Sequence, residues 1–287
     1  MFKNMTKIKV AYLGPKNTYT EKAAKLLFPD AELLPFTHIK KVILAVEEAE
    51  VNFGVVPFEN IYNGKVIHTL DALTNQSKKS KIVKEISIPI VHCLGALKDH
   101  SEITQIQSKD QALEQCDAYL SDKYPLAELI AVSSTTLAVK KIVQEKLANA
   151  AAIASKEGLN GLEIIDEDIC PNNKTRFFVI SNQPTKPTGD DKTFISFHPH
   201  LNDEAGVLYR CLGPLNKFKI NMGDIFSRPD GNSTQRGFHF FIELTGHQKD
   251  NSVMNALKEL KNYLDPENKF ADAVRVFGSY PNSHWDE

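Results

Sequence analysis

The chain begins its ordered pattern with KIKVAYLGP, a strand-like apolar run closed by the turn pair Gly14-Pro15. TYTEKAAKLLF follows, with Thr18 or Thr20 as a cap, Glu21 in the first turn, and Ala23, Ala24, Leu27 and Phe28 at helical spacing. IKKVILAVEEAE predicts a second helix, VNFGVVPFEN a short buried strand ended by Pro57, and VIHTLDALTN a third helix. The rhythm restarts at KIVKEISIPIVHCLGAL, a long strand or strand pair. DQALEQCDAYLSDKY then reads as a helix, AELIAVSS as a strand, TTLAVKKIVQEKL as a helix and NAAAIAS as a buried strand. LEIIDEDI and TRFFVI complete this part. Alternating strands and helices predict parallel sheet, here in two α/β lobes separated by a cleft.

SNQPTKPTGDD, residues 181–191, has two prolines, one glycine and no large apolar residue, and reads as a linker. Beyond it the order changes to strand (KTFISF), helix (EAGVLYRCLGPLNKF), two strands (INMGDIFSRP and RGFHFFIELTGH), helix (NSVMNALKELKNYL) and strand (AVRVFGSY). That is a βαββαβ, ferredoxin-like unit.

At 287 residues, with 42% hydrophobic and 24% charged residues, the chain suits two or three globular domains. Its 34 basic and 36 acidic residues give a net charge of −2. Without a basic excess, neither nucleic acid nor an acidic membrane is an expected partner. Cys93, Cys116, Cys170 and Cys211 are scattered with no CxxC pair, which fits reduced thiols rather than a zinc or disulfide framework. MFKNMTKIKVAYLG has no apolar core of signal-peptide length, and no stretch approaches a membrane span; a cytoplasmic location is the expectation. His198 and His200, in HPH, are too few for a metal site and are expected at the surface. No Walker loop, GxGxxG, HExxH or GxSxG occurs.

Five polar stretches fall at strand ends: Asn17 to Thr20, Glu59-Asn60, Gln111, Ser133 to Thr136, and Asn173 to Arg176. In open α/β sheets ligands bind beyond the carboxyl ends of strands, so these groups are candidates for one cleft; each is also a plausible helix cap. Arg176 cannot shed its charge, so burial there demands an anionic ligand or an acidic partner such as Asp166 or Glu167.

Taken in order, GPKNTYTEKAA, GVVPFENIYNGKVIHTLDAL, DQALEQC, SSTTLAV, AAIAS and NKTRFFVI resemble the motifs of the prephenate dehydratase family. AGVL, FSRP and VRVFGSYP resemble those of an ACT regulatory domain. The resemblance covers nearly the whole chain. It implies a catalytic domain at 1–181, with lobes resembling those of type II periplasmic binding proteins: one about 1–78 plus a return near 170–181, the other about 79–169. It further implies a linker at 182–191 and an ACT domain at 192–287. The implied reaction is the decarboxylating dehydration of prephenate to phenylpyruvate in phenylalanine biosynthesis, without metal or organic cofactor. The implied catalytic residues are Thr175, as donor to the leaving hydroxyl, with Arg176 and Asn60. Thr18, Thr20, Glu59, Gln111, Ser133, Ser134, Thr135, Asn173 and Phe177 are the implied substrate wall. Gly206, Val207, Leu208, Ser227, Arg228 and Pro229 are the implied site for L-phenylalanine as effector, in a homodimer or homotetramer. The chain departs from the family pattern at Asn17, Ile61, Lys65, Lys109-Asp110, Ala205 and Phe226. Lys65 is read as a replacement charge for a substrate carboxylate. Arogenate dehydration, or a binding sensor of the same fold, are the alternatives.

Overall fold

The computed structural model describes residues 7–199, 205–229, 238–270 and 273–284. Strand β1 (Lys9–Leu13) leads into helix α1 (Tyr19–Leu27), whose N-cap Thr18 accepts the Glu21 N–H and whose Ala23 and Ala24 are fully buried. β2 (Glu32–Phe36), α2 (Ile39–Glu47), β3 (Phe53–Asn60), the short β4 (Gly64–Lys65) and α3 (Ile67–Gln76) follow, then β5 (Lys81–Pro89). In α2 the buried Ile39, Val42, Ile43 and Val46 form the stripe that a 3.6-residue period requires.

A second lobe begins after the segment 90–92 with β6 (Cys93–Ala96), β7 (Gln105–Lys109), α4 (Asp110–Gln115), α5 (Asp117–Lys123), β8 (Glu128–Val132), α6 (Thr135–Glu145), β9 (Ala150–Ala154) and β10 (Glu163–Asp166). β11 (Lys174–Ser181) returns to the first lobe. The first sheet runs β2-β1-β3-β11-β5 with β4 beside β3, and the second β10-β6-β9-β7-β8. Two segments cross between lobes, and they are bonded to each other: the Ile169 N–H donates to the His92 carbonyl at 3.0 Å and the Ile90 N–H to the Asn173 carbonyl at 2.8 Å.

Four expectations change here. The sheets are mixed rather than parallel, because the returning β11 runs antiparallel to β3 and β5, and β6 runs antiparallel to β9 and β10. β3 does not stop at Pro57. Pairing with β1 ends at Val55 and the ladder with β11 is bulged between Arg176 and Phe177, so no ladder bond needs the missing proline N–H. Residues 110–124 are two helices, broken at Cys116. Lys81–Pro89, expected in the second lobe, pairs with β11 and belongs to the first.

The C-terminal unit contains β12 (Asp191–Phe197), α7 (Val207–Lys217), β13 (Met222–Pro229), β14 (Phe238–Thr245), α8 (Asn251–Leu264) and β15 (Val274–Pro281). Its antiparallel sheet, β13-β14-β12-β15, has the predicted βαββαβ order. One sheet face carries α7 and α8; Ile195, Phe197, Cys211, Leu215, Ile242, Ala256 and Leu260 fill that core. The other face lies on the first lobe. Phe58, Phe178, Phe194, Phe241, Phe277 and Tyr280 form one buried cluster across this seam, with Phe58 and Phe178 stacked at 4.0 Å. At Gly278 the two backbones come close: a Cβ there would lie 2.7 Å from the Ile82 nitrogen and 2.9 Å from its carbonyl carbon. Residues 182–190 are pinned rather than loose, since the Asn182 amide donates to the Val46 carbonyl and the Thr185 hydroxyl to the Ser279 carbonyl. His198, expected at the surface, is buried edge-on to His239 at 4.7 Å; His200 lies outside the described residues. Among the described residues, no helix is long and apolar enough to cross a membrane.

Candidate active site

Successive side chains of a strand point to opposite faces. On β11 this sends Thr175, Phe177 and Val179 one way and Arg176, Phe178 and Ile180 the other. Phe177 and Val179 pack with Tyr12, Ala23 and Val55 beneath α1, while Phe178 and Ile180 join the aromatic seam. The two residues that the sequence placed together at the cleft therefore do different things.

Thr175 faces the gap between lobes and is 9% exposed. Its Oγ1 accepts from Asn60 Nδ2 at 2.9 Å. The same amide group donates to Asn173 Oδ1 at 2.7 Å and to the Lys174 carbonyl at 3.1 Å. Across the gap, Gln115 at the end of α4 closes the cluster: its Nε2 donates to Asn60 Oδ1 at 3.0 Å, and its Oε1 accepts from Asn173 Nδ2 at 3.0 Å. His92 lies 2.7 Å from that same Oε1. Asn60, Gln115 and Thr175 are thus locked to one another from both lobes.

Arg176 faces away, 1% exposed, toward the C-terminal unit. Its Nη1 contacts Glu243 at 2.9 and 3.0 Å and Glu85 at 3.1 Å, and its Nη2 lies 3.1 Å from Glu59. Lys192 bridges Glu85 and Glu243 at 3.2 and 3.3 Å. Burial disfavours the Arg176 charge, but Glu243 and Glu85 outweigh it and the guanidinium stays protonated. Its acidic partners are not Asp166 or Glu167, which take Tyr119 and Lys156. Lys65 is turned to the same seam, pairing with Glu59 at 2.5 Å and with Asp224 of β13. Arg176, Glu59 and Lys65 are therefore withdrawn from the substrate wall, and Phe177 is a core residue.

Thr18 rims a cavity of about 330 Å³ in the gap, with Asn17, Tyr19 and Lys22 on one side and Ser155 and Glu157 on the other. Thr20 is buried. Ser134 caps α6, accepting the Leu137 N–H at 3.1 Å; Ser133 is exposed and Thr135 opens the helix. Parallel β7, β8 and β9 end on the edge that carries α4, so the start of α6 shares the edge that meets Asn60 and Asn63. Gln111 is at the rim, its amide 3.4 Å from Asn63. The pattern reading missed Gln115, His92 and Asn63. Gln115 was available: it lies one helical turn after Gln111, on the same face.

Of the expected effector residues, Gly206 is the N-cap of α7 at φ 83°, with Val207 and Leu208 packed on the core behind it. Ser227, Arg228 and Pro229 end β13. Arg228 pairs at 2.8 Å with Asp71 of α3.

The family model for prephenate dehydratase matches residues 10–185. The bifunctional chorismate mutase/prephenate dehydratases of Aquifex aeolicus and Pseudomonas aeruginosa are 38% and 37% identical. Each alignment covers 96% of this chain and 74% of the relative. The crystal structure of prephenate dehydratase in complex with L-Phe from Arthrobacter aurescens superposes with a TM-score of 0.80 at 30% identity. That match covers 96% of this chain and 90% of the other. With a family model spanning most of the two lobes and relatives aligned along nearly the full length, this chain belongs to the prephenate dehydratase family.

Proposed function

We propose that Thr175, Asn60, Gln115 and Asn173 form the catalytic centre at which this prephenate dehydratase works. The reaction takes prephenate and a proton to phenylpyruvate, carbon dioxide and water, a step in L-phenylalanine biosynthesis. As the ring carboxylate leaves as carbon dioxide, the electrons of its C–C bond enter the ring and the C–O bond to the ring hydroxyl breaks. Aromaticity drives the step; the barrier lies in expelling a poor leaving group.

The observation that carries this reading is the direction of the bonds at Thr175. Its oxygen is engaged by Asn60, and among the described residues no protein acceptor takes its hydrogen. A hydroxyl held as an acceptor and left free as a donor is suited to the departing oxygen. With Arg176 and Lys65 committed elsewhere, the substrate carboxylates fall to helix N-termini. The first-turn N–H groups of α1 (Tyr19, Thr20) and α6 (Thr135, Thr136) have no intrahelical partner and flank the gap. The test is phenylpyruvate formation from prephenate, with arogenate in parallel. Thr175→Ala is expected to lose roughly a hundredfold or more in kcat while Thr175→Ser keeps part of it. Near-normal turnover by Thr175→Ala would remove the assignment.

The C-terminal unit is, in this reading, an ACT domain that binds L-phenylalanine near Gly206 and Arg228 and inhibits. Its βαββαβ order supports this, as does the L-Phe complex of the Arthrobacter relative. Calorimetry showing no saturable phenylalanine binding would count against it. At least a homodimer is proposed, because edge strand β13 and its neighbour β14 leave Ile225 and Phe238 41% and 44% exposed. A monomer by light scattering would reject that.

A further inference from the structure

The donor and acceptor ends of the amide cluster are fixed by backbone groups, whose roles are not interchangeable. Asn60 Oδ1 faces the N–H groups of Tyr62 at 3.0 Å and Asn63 at 3.1 Å, which can only donate. Asn60 Nδ2 faces the Lys174 carbonyl, which can only accept. The Asn60 amide therefore has one orientation. Its Nδ2 meets Asn173 Oδ1, so Asn173 presents its own Nδ2 to Gln115, and the oxygen end of Gln115 must lie there. Gln115 Nε2 in turn meets Asn60 Oδ1, closing the circuit consistently. Gln115 Oε1 is then purely an acceptor, and the His92 Nε2 that approaches it to 2.7 Å carries the hydrogen.

His92 stands in the segment linking β5 to β6, and its backbone carbonyl holds the second crossing segment through Ile169. The residue is 6% exposed, and among the described residues its Nδ1 finds no hydrogen-bond partner. A ring kept only for packing would be better served by an apolar residue, because an unpaired buried nitrogen is unfavourable. Burial draws the His92 pKa below its usual 6.5, so the neutral ring is the resting form near neutral pH.

We infer that His92 is a positioning residue for turnover. By donating Nε2–H to Gln115 Oε1, it holds the Gln115 amide in the orientation that keeps Asn60 Nδ2 on Thr175 and leaves the threonine hydrogen for the substrate. The inference rests on the prephenate reading of the same site. His92 touches no reacting atom; it acts through Gln115 from the point where the two lobes are joined. Loss of the donor leaves Gln115 Oε1 with Asn173 alone and lets the amide move off Asn60.

The experiment compares prephenate kinetics of the full-length wild type, His92→Phe and His92→Gln, with nitrogen NMR of histidine-labelled wild-type protein. His92→Phe keeps a ring and loses the donor; a fall in kcat of roughly ten- to a hundredfold is expected, with KM nearly unchanged. His92→Gln restores an N–H donor and recovers most of the loss. The His92 resonance, assigned by its absence in His92→Gln, is expected as the Nε2–H tautomer. Near-wild-type kcat in His92→Phe, equal losses in the two variants, a loss confined to KM, or an Nδ1–H tautomer would each overturn the inference. Where His92→Phe fails to fold, His92→Gln kinetics and the wild-type tautomer decide. Failure of the wild type to consume prephenate defeats the functional reading instead, and the tautomer, measured without substrate, still places the proton.

Discussion

Replacing Arg176 with methionine separates a structural cation from a substrate-binding one. In the native seam Arg176 lies among Glu59, Glu85 and Glu243, with the Glu85 side chain 0% and Glu243 4% exposed. Methionine preserves much of the volume but leaves both buried carboxylates with Lys192 as their one shared cation among the described residues, beside the neutral donors Tyr280 and Ser283. Removing one partner from a buried ionic cluster destabilises by roughly 3–5 kcal/mol. At about 2 °C or more per kcal/mol for a chain of this size, the thermal midpoint at pH 7.5 should fall by about 6 °C or more.

The pH dependence gives a second reading. Burial alone would raise the Glu243 carboxyl; the charges of Arg176 and Lys192 outweigh burial and hold it below its ordinary 4.5. A carboxylate lowered on folding contributes stability that is present above its unfolded value and lost as pH falls through the folded one. Wild-type stability should therefore hold from pH 7.5 down to about 5 and decline below 4.5. In Arg176→Met burial dominates, the folded carboxyl rises above its unfolded value, and acidification toward pH 5 should shrink the deficit. Thermal denaturation across that range is the assay. A variant within about 1 kcal/mol of wild type at pH 7.5, or one whose only defect is a raised KM for prephenate, would refute the reasoning.

Two further substitutions probe the same seam. Gly278→Ala pushes a methyl group into the Ile82 backbone, where nothing can rotate aside, and should cost about 1–3 kcal/mol. Limited proteolysis should then cut residues 182–190 faster; an unchanged cleavage rate would mean the two backbones do not meet as described. Lys65→Ala should leave the KM for prephenate within about twofold and lower stability by about 1 kcal/mol, because its ammonium is spent on Glu59 and Asp224. A large rise in KM would return Lys65 to the substrate.

Local periodicity was enough to reveal most of the helices and strands, the βαββαβ tail and the presence of Asn60 and Thr175 at strand ends, but not β2 or β7, whose short runs ELLPF and QIQSK are weakly apolar. Partners distant in sequence were not visible. Nothing near Arg176 announces Glu243, 67 residues on, or Glu85, 91 residues back. The separation of Thr175 from Arg176 was implicit in the two-residue period of a strand, since neighbours must face opposite sides. Gln115 illustrates a different gap: Gln111 and Gln115 share a helical face, but only the position of α4 relative to β3 shows which one reaches Asn60. Lys65 looked like a free cation because Asp224 belongs to another unit of the chain.

The aromatic and ionic seam bears on how this protein can be divided. A fragment ending at Ser181 would expose Phe58 and Phe178 to water and take Glu243 from Arg176, so it is expected to be less stable than the full chain. Grafting a foreign C-terminal unit onto these lobes should succeed only when the donor supplies counterparts of Phe194, Glu243, Phe277 and Tyr280. A working hybrid without them would show that the halves are modular after all.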